Sequence, residues 1–463
     1  MAKYSFEEKC RRSVIGIEEK VPLIDGRYTV GINFDNAATT PPFYAVMREI
    51  EAFAPWYSSI HRGTGYKSMI SSDLYDEGRQ KIKKFVGADS IEDSLIYTKN
   101  TTESINVLAE SFHQMHPDAV ILCTQMEHLA NDLPWRSKFC VVYAKVDKTG
   151  RLDLNDVEDC LAKYQGKIKL VAVSGASNVT GLMNPVYEIA AMAHRYGAEI
   201  LVDGAQMVPH CAIDMRSHNC MEHIDYLVFS AHKMYAPFGV GVLIGPRRSF
   251  ECGAPYLKGG GAIKLVTADS VEWDDPPYRQ EAGTPNVIGT IAMLKAIDCL
   301  VKLDMKKIHA REQEILAYMT EKMRKIKGIC LYGYTKKMSE KVSIISFSLP
   351  DIQHRLIAQI LSYEFGIAVR SGLFCAHPYV QRLMNMEPET INYYKENPNI
   401  PFPGMVRVSL GLYQQYQEAD KLVDSVRCIA ENQKEYKIKY EKLFNKWSTE
   451  PSPYFDPLRR QLP

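Results

Sequence analysis

A membrane-spanning helix needs about 18 or more consecutive apolar residues, and this chain contains no such run. Its opening stretch, MAKYSFEEKCRRSVIG, lacks an apolar segment behind the charged residues, so it does not read as a secretory signal. An excess of charge is missing too. Lys and Arg number 56 against 55 Asp and Glu, a formal net charge of +1. That balance removes the basic footprint expected of a nucleic-acid binder or of an anchor for anionic lipid. The 11 cysteines are scattered and show no C-x-x-C spacing. Neither a disulfide framework nor a zinc site is implied, and reduced thiols in a cytoplasmic setting are expected. Internal repeats and low-complexity segments are also absent.

What is present is ordinary globular composition, 46% hydrophobic and 24% charged, with length enough for two or three domains. From about residue 70 to 245, helical patterns alternate with short apolar runs. SDLYDEGRQKIKKFVG reads as a helix with Leu74, Ile82, Phe85 and Val86 on one side. SLIYT, AVILC, FCVVYAKV, IKLVAVSGAS, EILVDGAQ, YLVFSAH and VGVLIG read as strands, most without polar alternation. Continuous apolar strands between helices predict a largely parallel sheet covered on both faces. In such α/β sheets ligands sit beyond the carboxyl ends of the strands. A long helical stretch begins near residue 286, and strands KVSIISFSL, GIAVRSG and MVRVSLGLY follow it, predicting a smaller α+β domain. The segment 385–405 reads as irregular, residues 418–447 as charged helix and the final 16 residues as an extended arm. The expected division is an N-terminal segment over 1–30 packing on the small domain, a large domain over 31–295, a small domain over 296–430 and a tail over 431–463.

The polar residues at strand ends carry the chemistry. Asp203 and Gln206 follow the strand EILVD, and Asp203 could simply cap a helix. Ser230, His232 and Lys233 follow the next strand, FSAHK. A carboxylate on one strand end and a lysine on the next suit pyridoxal phosphate, whose aldehyde bonds to an amine and whose ring nitrogen is kept protonated by an acid. A structural ion pair is the plainer reading. Thr101 and Thr102, in TKNTTES, open a helix where hydroxyls and N–H groups can hold a phosphate, or merely form a capping box. His128 of MEHLANDLPW could stack on an aromatic ring, shuttle protons or be structural. Asn178 of SGASNVTG could contact a cofactor oxygen or close an Asx-turn.

Together FDNAATT, HRG, KNTTES, MEH, SNVTG, VDGAQMVPH, FSAHKMYAPFGVGVL, EAGTPN and RSGLFCAHP resemble the class V aminotransferase-like, fold type I enzymes that use pyridoxal phosphate. Within these the chain looks most like group II (SufS-type) cysteine desulfurases and selenocysteine lyases, over about residues 31–430. The resemblance implies a fold type I α/β architecture, with a mostly parallel seven-stranded sheet in the large domain. It makes Lys233 the cofactor-bonding lysine, Asp203 the partner of the ring nitrogen and His128 the stacking ring. Ser230, His232, Thr102 and Thr101 would hold the phosphate, and Gln206 and Asn178 the phenolic oxygen side. Thr284 of EAGTPN would reach the phosphate of a neighbouring subunit, implying a homodimer. Cys375, five residues after Arg370, would take the substrate sulfur as a persulfide. Such a cysteine should be exposed. His377 is near enough in sequence to assist. Arg407 would grip the substrate carboxylate, with Arg370 as a second contact. The implied reaction converts L-cysteine, or a related sulfur or selenium amino acid, to alanine and passes sulfur to a protein acceptor. Another class V reaction without a persulfide is the alternative.

Two features depart from the family pattern. Leu373 and Phe374 stand before Cys375 where two histidines are common, which makes the mouth of its pocket more apolar. The stretch between Cys375 and Arg407 is also longer than the pattern, and such surface insertions often carry specificity.

Overall fold

The computed structural model describes residues 4–447. The arm expected over the last 16 residues lies outside them. A seven-stranded sheet forms the centre of the larger half. Its strands are β1 (Asp93–Thr98), β2 (Val120–Thr124), β3 (Cys140–Ala144), β4 (Ile168–Ser174), β5 (Glu199–Asp203), β6 (Tyr226–Ser230) and β7 (Gly241–Pro246). The order is β1-β7-β6-β5-β4-β2-β3. Only β7 runs against its neighbours, pairing antiparallel with β1 and β6. Strands β1, β2, β6 and β7 are buried at every position, as their unbroken apolar runs require. Edge strand β3 is the exception, with only its last residue buried.

Helix α1 (Tyr66–Val86) ends at Gly87, whose φ of 65° suits a residue without a Cβ. Of the expected face, Ile82 and Val86 are buried and Phe85 packs partly against the core, and only Leu74 departs. Leu74 is 39% exposed, while Tyr75, Arg79 and Ile82 face inward. Arg79 fits there because Glu281 takes both arms of its fork, at 2.7 and 2.8 Å. Helix α2 (Thr101–Met115) follows β1. Its start lies close to Gly241, where a Cβ would meet the Asn100 backbone at 2.5 Å. A glycine is therefore required at the head of β7.

The predicted long helix is two, α3 (Val287–Leu303) and α4 (Met305–Met323). Asp304 breaks it with φ at 75°, and its carboxylate accepts the Lys306 N–H at 3.0 Å. A second sheet, β8 (Cys330–Tyr332), β9 (Ile344–Ser348), β10 (Arg370–Gly372) and β11 (Met405–Ser409), has the order β8-β9-β11-β10. Its core gathers Leu316, Met319, Phe347, Ile360 and Val408. Ile32 and Asn33 attach beside it, pairing in parallel with Ile367 and Ala368, while Cys10 and Val14 pack in the core of the larger half.

The segment expected to be irregular contains a helix, α7 (Pro388–Glu396), which follows α5 (His354–Phe365) and α6 (His377–Leu383). Nothing on α7 is buried, so its surface position hid it from a search for apolar periodicity. Helices α8 (Tyr416–Glu431) and α9 (Gln433–Trp447) close the described chain. Tyr440 of α9 is 0% exposed against the small-sheet core, so this charged helix is packed rather than solvated all round.

Candidate active site

Strands β1, β2, β4, β5 and β6 all point their carboxyl ends to one edge of the large sheet. A cavity of about 260 Å³ lies there, walled on its other side by β10, β11 and the turn between β10 and α6. Every residue singled out from the sequence as a site residue lines it, except Thr284 and the suggested helper His377. Thr284 is exposed on its own chain.

Lys233 ends a single 3₁₀ turn, Ala231–Lys233, directly after β6. The turn is held in place because the His232 carbonyl accepts the Thr40 N–H at 2.9 Å and the Thr39 hydroxyl at 3.0 Å. Burial pulls the Lys233 amine down to about 8. Asp203 opposes that shift, Arg407 adds to it, and Cys375 opposes it. A lysine so placed is neutral in about a tenth of molecules at pH 7, far more often than an ordinary lysine, and the neutral form bonds to an aldehyde. Asp203 is 5% exposed and accepts the Ala205 N–H at 3.0 Å. Burial pushes its pKa up, and Ala205 and Lys233 pull it back. No helix follows it, so the helix-cap reading fails.

At the head of α2 the cap is Asn100, whose side chain accepts the Glu103 N–H at 3.0 Å. The two threonines are therefore not the capping residues. Thr101 donates its N–H to the Ser230 hydroxyl at 2.8 Å, and the two hydroxyls lie 2.6 Å apart. This places Ser230, Thr101 and Thr102 beside a helix N-terminus, the setting a phosphate prefers. His232 borders the same cavity, its pKa lowered to about 4 by burial and then by Lys233.

His128 accepts the Ala130 N–H on Nδ1 at 3.0 Å, which assigns the proton of the neutral ring to Nε2. Burial, Lys233 and Arg407 lower its pKa to about 4. The ring is neutral near pH 7, which suits stacking better than proton shuttling. Gln206 donates to the Ala37 carbonyl at 2.8 Å. Asn178 donates to the Phe374 carbonyl at 2.6 Å, and its own carbonyl accepts from Arg407 at 2.9 Å. The turn at Asn178 is closed by Ser177, whose hydroxyl accepts the Val179 and Thr180 N–H groups. The Asx-turn reading therefore does not hold.

Cys375 is exposed at the cavity. Phe374 and Cys375 have φ of 51° and 53°, left-handed values that non-glycine residues rarely adopt. The turn is pinned from two sides, by Asn178 on the Phe374 carbonyl and by the Leu129 N–H on the Cys375 carbonyl at 2.7 Å. His377 is exposed at the start of α6 and does not line the cavity, so it lends Cys375 no visible help. The departures from the pattern have a packing role. Phe374 is buried with its ring centre 5.1 Å from the Arg407 guanidinium carbon, and Leu373 packs on the same apolar cluster.

Arg407 is 4% exposed, which rules out a surface salt bridge. Its Nε is buried without a hydrogen-bond partner among the described residues, as expected of a group awaiting an anion. Arg370 sits directly opposite on β10. Two further acidic residues belong here and had no role assigned from sequence. Asp35, within FDNAATT, lies 3.2 Å from Arg407 and 3.8 Å from Arg370. Glu127, within MEH, is buried below the cavity, accepting from the Thr124 hydroxyl, the Ser174 N–H and hydroxyl, and Asn131. Burial pushes it up to about 7. The available signal was a carboxylate beside an assigned motif residue, which indicates proximity without stating a task.

The donor set fits pyridoxal phosphate. An amine and a carboxylate face one cavity, hydroxyls stand at a helix start, and a neutral imidazole is available for stacking. The volume lies near the lower end for small-ligand pockets, roughly 300 Å³.

The Aminotransferase class-V profile matches residues 32–422. The chain belongs to that family. It is 34% identical over 392 residues to a probable cysteine desulfurase of Halalkalibacterium halodurans, covering 82% of this chain and 93% of that one. Against a cysteine desulfurase of Haloferax volcanii it is 31% identical over 408 residues, 86% of this chain and 89% of that one. A solved cysteine desulfurase from Thermococcus onnurineus superposes with a TM-score of 0.80 at 28% identity, over 93% of this chain and all of the other. The fold is accordingly that of fold type I enzymes, with the mostly parallel seven-stranded sheet expected from the strand pattern.

Proposed function

We propose that the chain is a pyridoxal-phosphate-dependent cysteine desulfurase. L-Cysteine and the Cys375 thiol give L-alanine and a persulfide on Cys375, which a protein acceptor then relieves of its sulfur. The observation that carries this reading is the sharing of one cavity by Lys233, Asp203, Arg407 and the exposed Cys375 thiol. When bound, pyridoxal phosphate supplies the electron sink that weakens the substrate's carbon–sulfur bond. Lys233 would hold its aldehyde and carry protons on Nζ. Asp203 would sit against the ring nitrogen, His128 against the ring face, and Gln206 and Asn178 on the phenolic side. Ser230, Thr101, Thr102 and His232 would hold the phosphate. Arg407, assisted by Arg370, would orient the substrate carboxylate and so aim its sulfur at Cys375.

We further propose a homodimer in which Thr284 completes the phosphate site of the partner. Its exposure outside its own cavity supports this. Eleven free cysteines, and no described helix long and apolar enough to cross a membrane, support a reducing cytoplasmic setting.

The test is Cys375→Ala. The variant should keep the cofactor's visible absorbance and release no alanine from L-cysteine. Undiminished alanine release would overturn the persulfide route in favour of a class V reaction without it.

A further inference from the structure

The two arginines expected to receive the substrate carboxylate are not alone. Arg370 and Arg407 are directly opposed across the β10–β11 pair, so two like charges face each other on one ladder rung. Asp35 is bridged to the same sheet at Ser409 and reaches both, 3.2 Å from the Arg407 Nη2 and 3.8 Å from the Arg370 Nη1. Its backbone is fixed by the Asn33 side chain, which accepts the Asp35 N–H at 2.9 Å. Asp35 does not itself line the cavity. It contacts the fork of Arg407 beside the Asn178 carbonyl, leaving Nε without a partner.

We propose that Asp35 is a positioning residue that sets the charge of the carboxylate pocket, cancelling one of its two cations and making it selective for amino acids with a single free carboxylate. Two guanidinium groups less one carboxylate leave one net positive charge, which one α-carboxylate neutralises. A second carboxylate on the ligand would then meet a pocket with no cation to spare. This rests on the reading of Arg407 and Arg370 as the substrate-carboxylate contacts.

Asp35→Asn keeps the size and removes the charge. In the cofactor-loaded full-length protein, dissociation constants for L-alanine and L-aspartate are read by calorimetry. The variant should shift their ratio toward aspartate by roughly tenfold. A merely structural role would weaken both ligands alike, and an unchanged ratio overturns the proposal. Arg370→Gln guards against misfolding of the first variant, because Arg370 is 58% exposed. It should weaken both ligands and aspartate the more, and the double variant Asp35→Asn/Arg370→Gln should regain the wild-type preference. Failure of either result also overturns the proposal. If the wild type binds neither amino acid and makes no alanine from L-cysteine, the desulfurase reading fails instead, which separates the two.

Discussion

The two walls of the cavity are built differently. On the large-sheet wall, Asp203 and Ser230 end buried strands and Lys233 sits one short turn beyond, so regular backbone places them. On the small-sheet wall, Arg407 comes from a strand but Cys375 hangs on a turn of two consecutive left-handed residues. The first wall offers the groups that, on the proposed reading, any reaction of pyridoxal phosphate would require. The second holds the groups that, on the proposed reading, would choose the substrate and receive its sulfur. Rigid sheet ends would thus serve the shared chemistry, and the pinned turn the particular one.

The contrast can be broken from either wall. Lys233→Ala removes the group on which the first wall depends. Alanine formation should fall by about a thousandfold or more, and gel-filtered protein should lose its visible colour. Arg407→Gln attacks the second wall and should leave the colour intact. The loss of a charge-assisted contact of about 1.5–3 kcal/mol should appear as a rise in KM of roughly ten- to a hundredfold. Glu127→Gln tests the support beneath. All four groups reaching Glu127 donate hydrogen bonds, so an amide NH₂ would face a donor. Chemical denaturation should show a loss of about 1–3 kcal/mol.

A further effect concerns pH. His128 and His232 are each lowered from 6.5 to about 4, so between those values the unfolded chain binds more protons than the folded one. Stability then falls as pH drops through that window and is complete above it. The thermal midpoint should decline from pH 6.5 to 4, less steeply in His128→Gln. An equal slope in wild type and variant would mean that the ring is not held neutral.

Much of the first wall was legible in the sequence because strand ends and short motifs fix it locally: Asp203, Ser230 and Lys233 lie where apolar runs stop. The cluster Asp35, Arg370 and Arg407 was only half legible. Its members come from distant segments, and a pairing rung that joins residues 370 and 407 leaves no trace in local periodicity. Glu127 escaped for a related reason, since its partner Ser174 is contributed by a separate strand. Surface helix α7 and the break at Asp304 were missed because solvent exposure and a single capping carboxylate override the apolar pattern.

On the proposed reading Cys375 receives sulfur from a substrate held by the other groups of the same cavity. Mass spectrometry of the cofactor-loaded protein after exposure to L-cysteine tests it most directly. The expected result is an added mass of about 32 Da, one sulfur atom, on the peptide carrying Cys375, removable by a thiol reductant. Alanine released with no added mass on that peptide, when persulfides are trapped at once by alkylation, would contradict it.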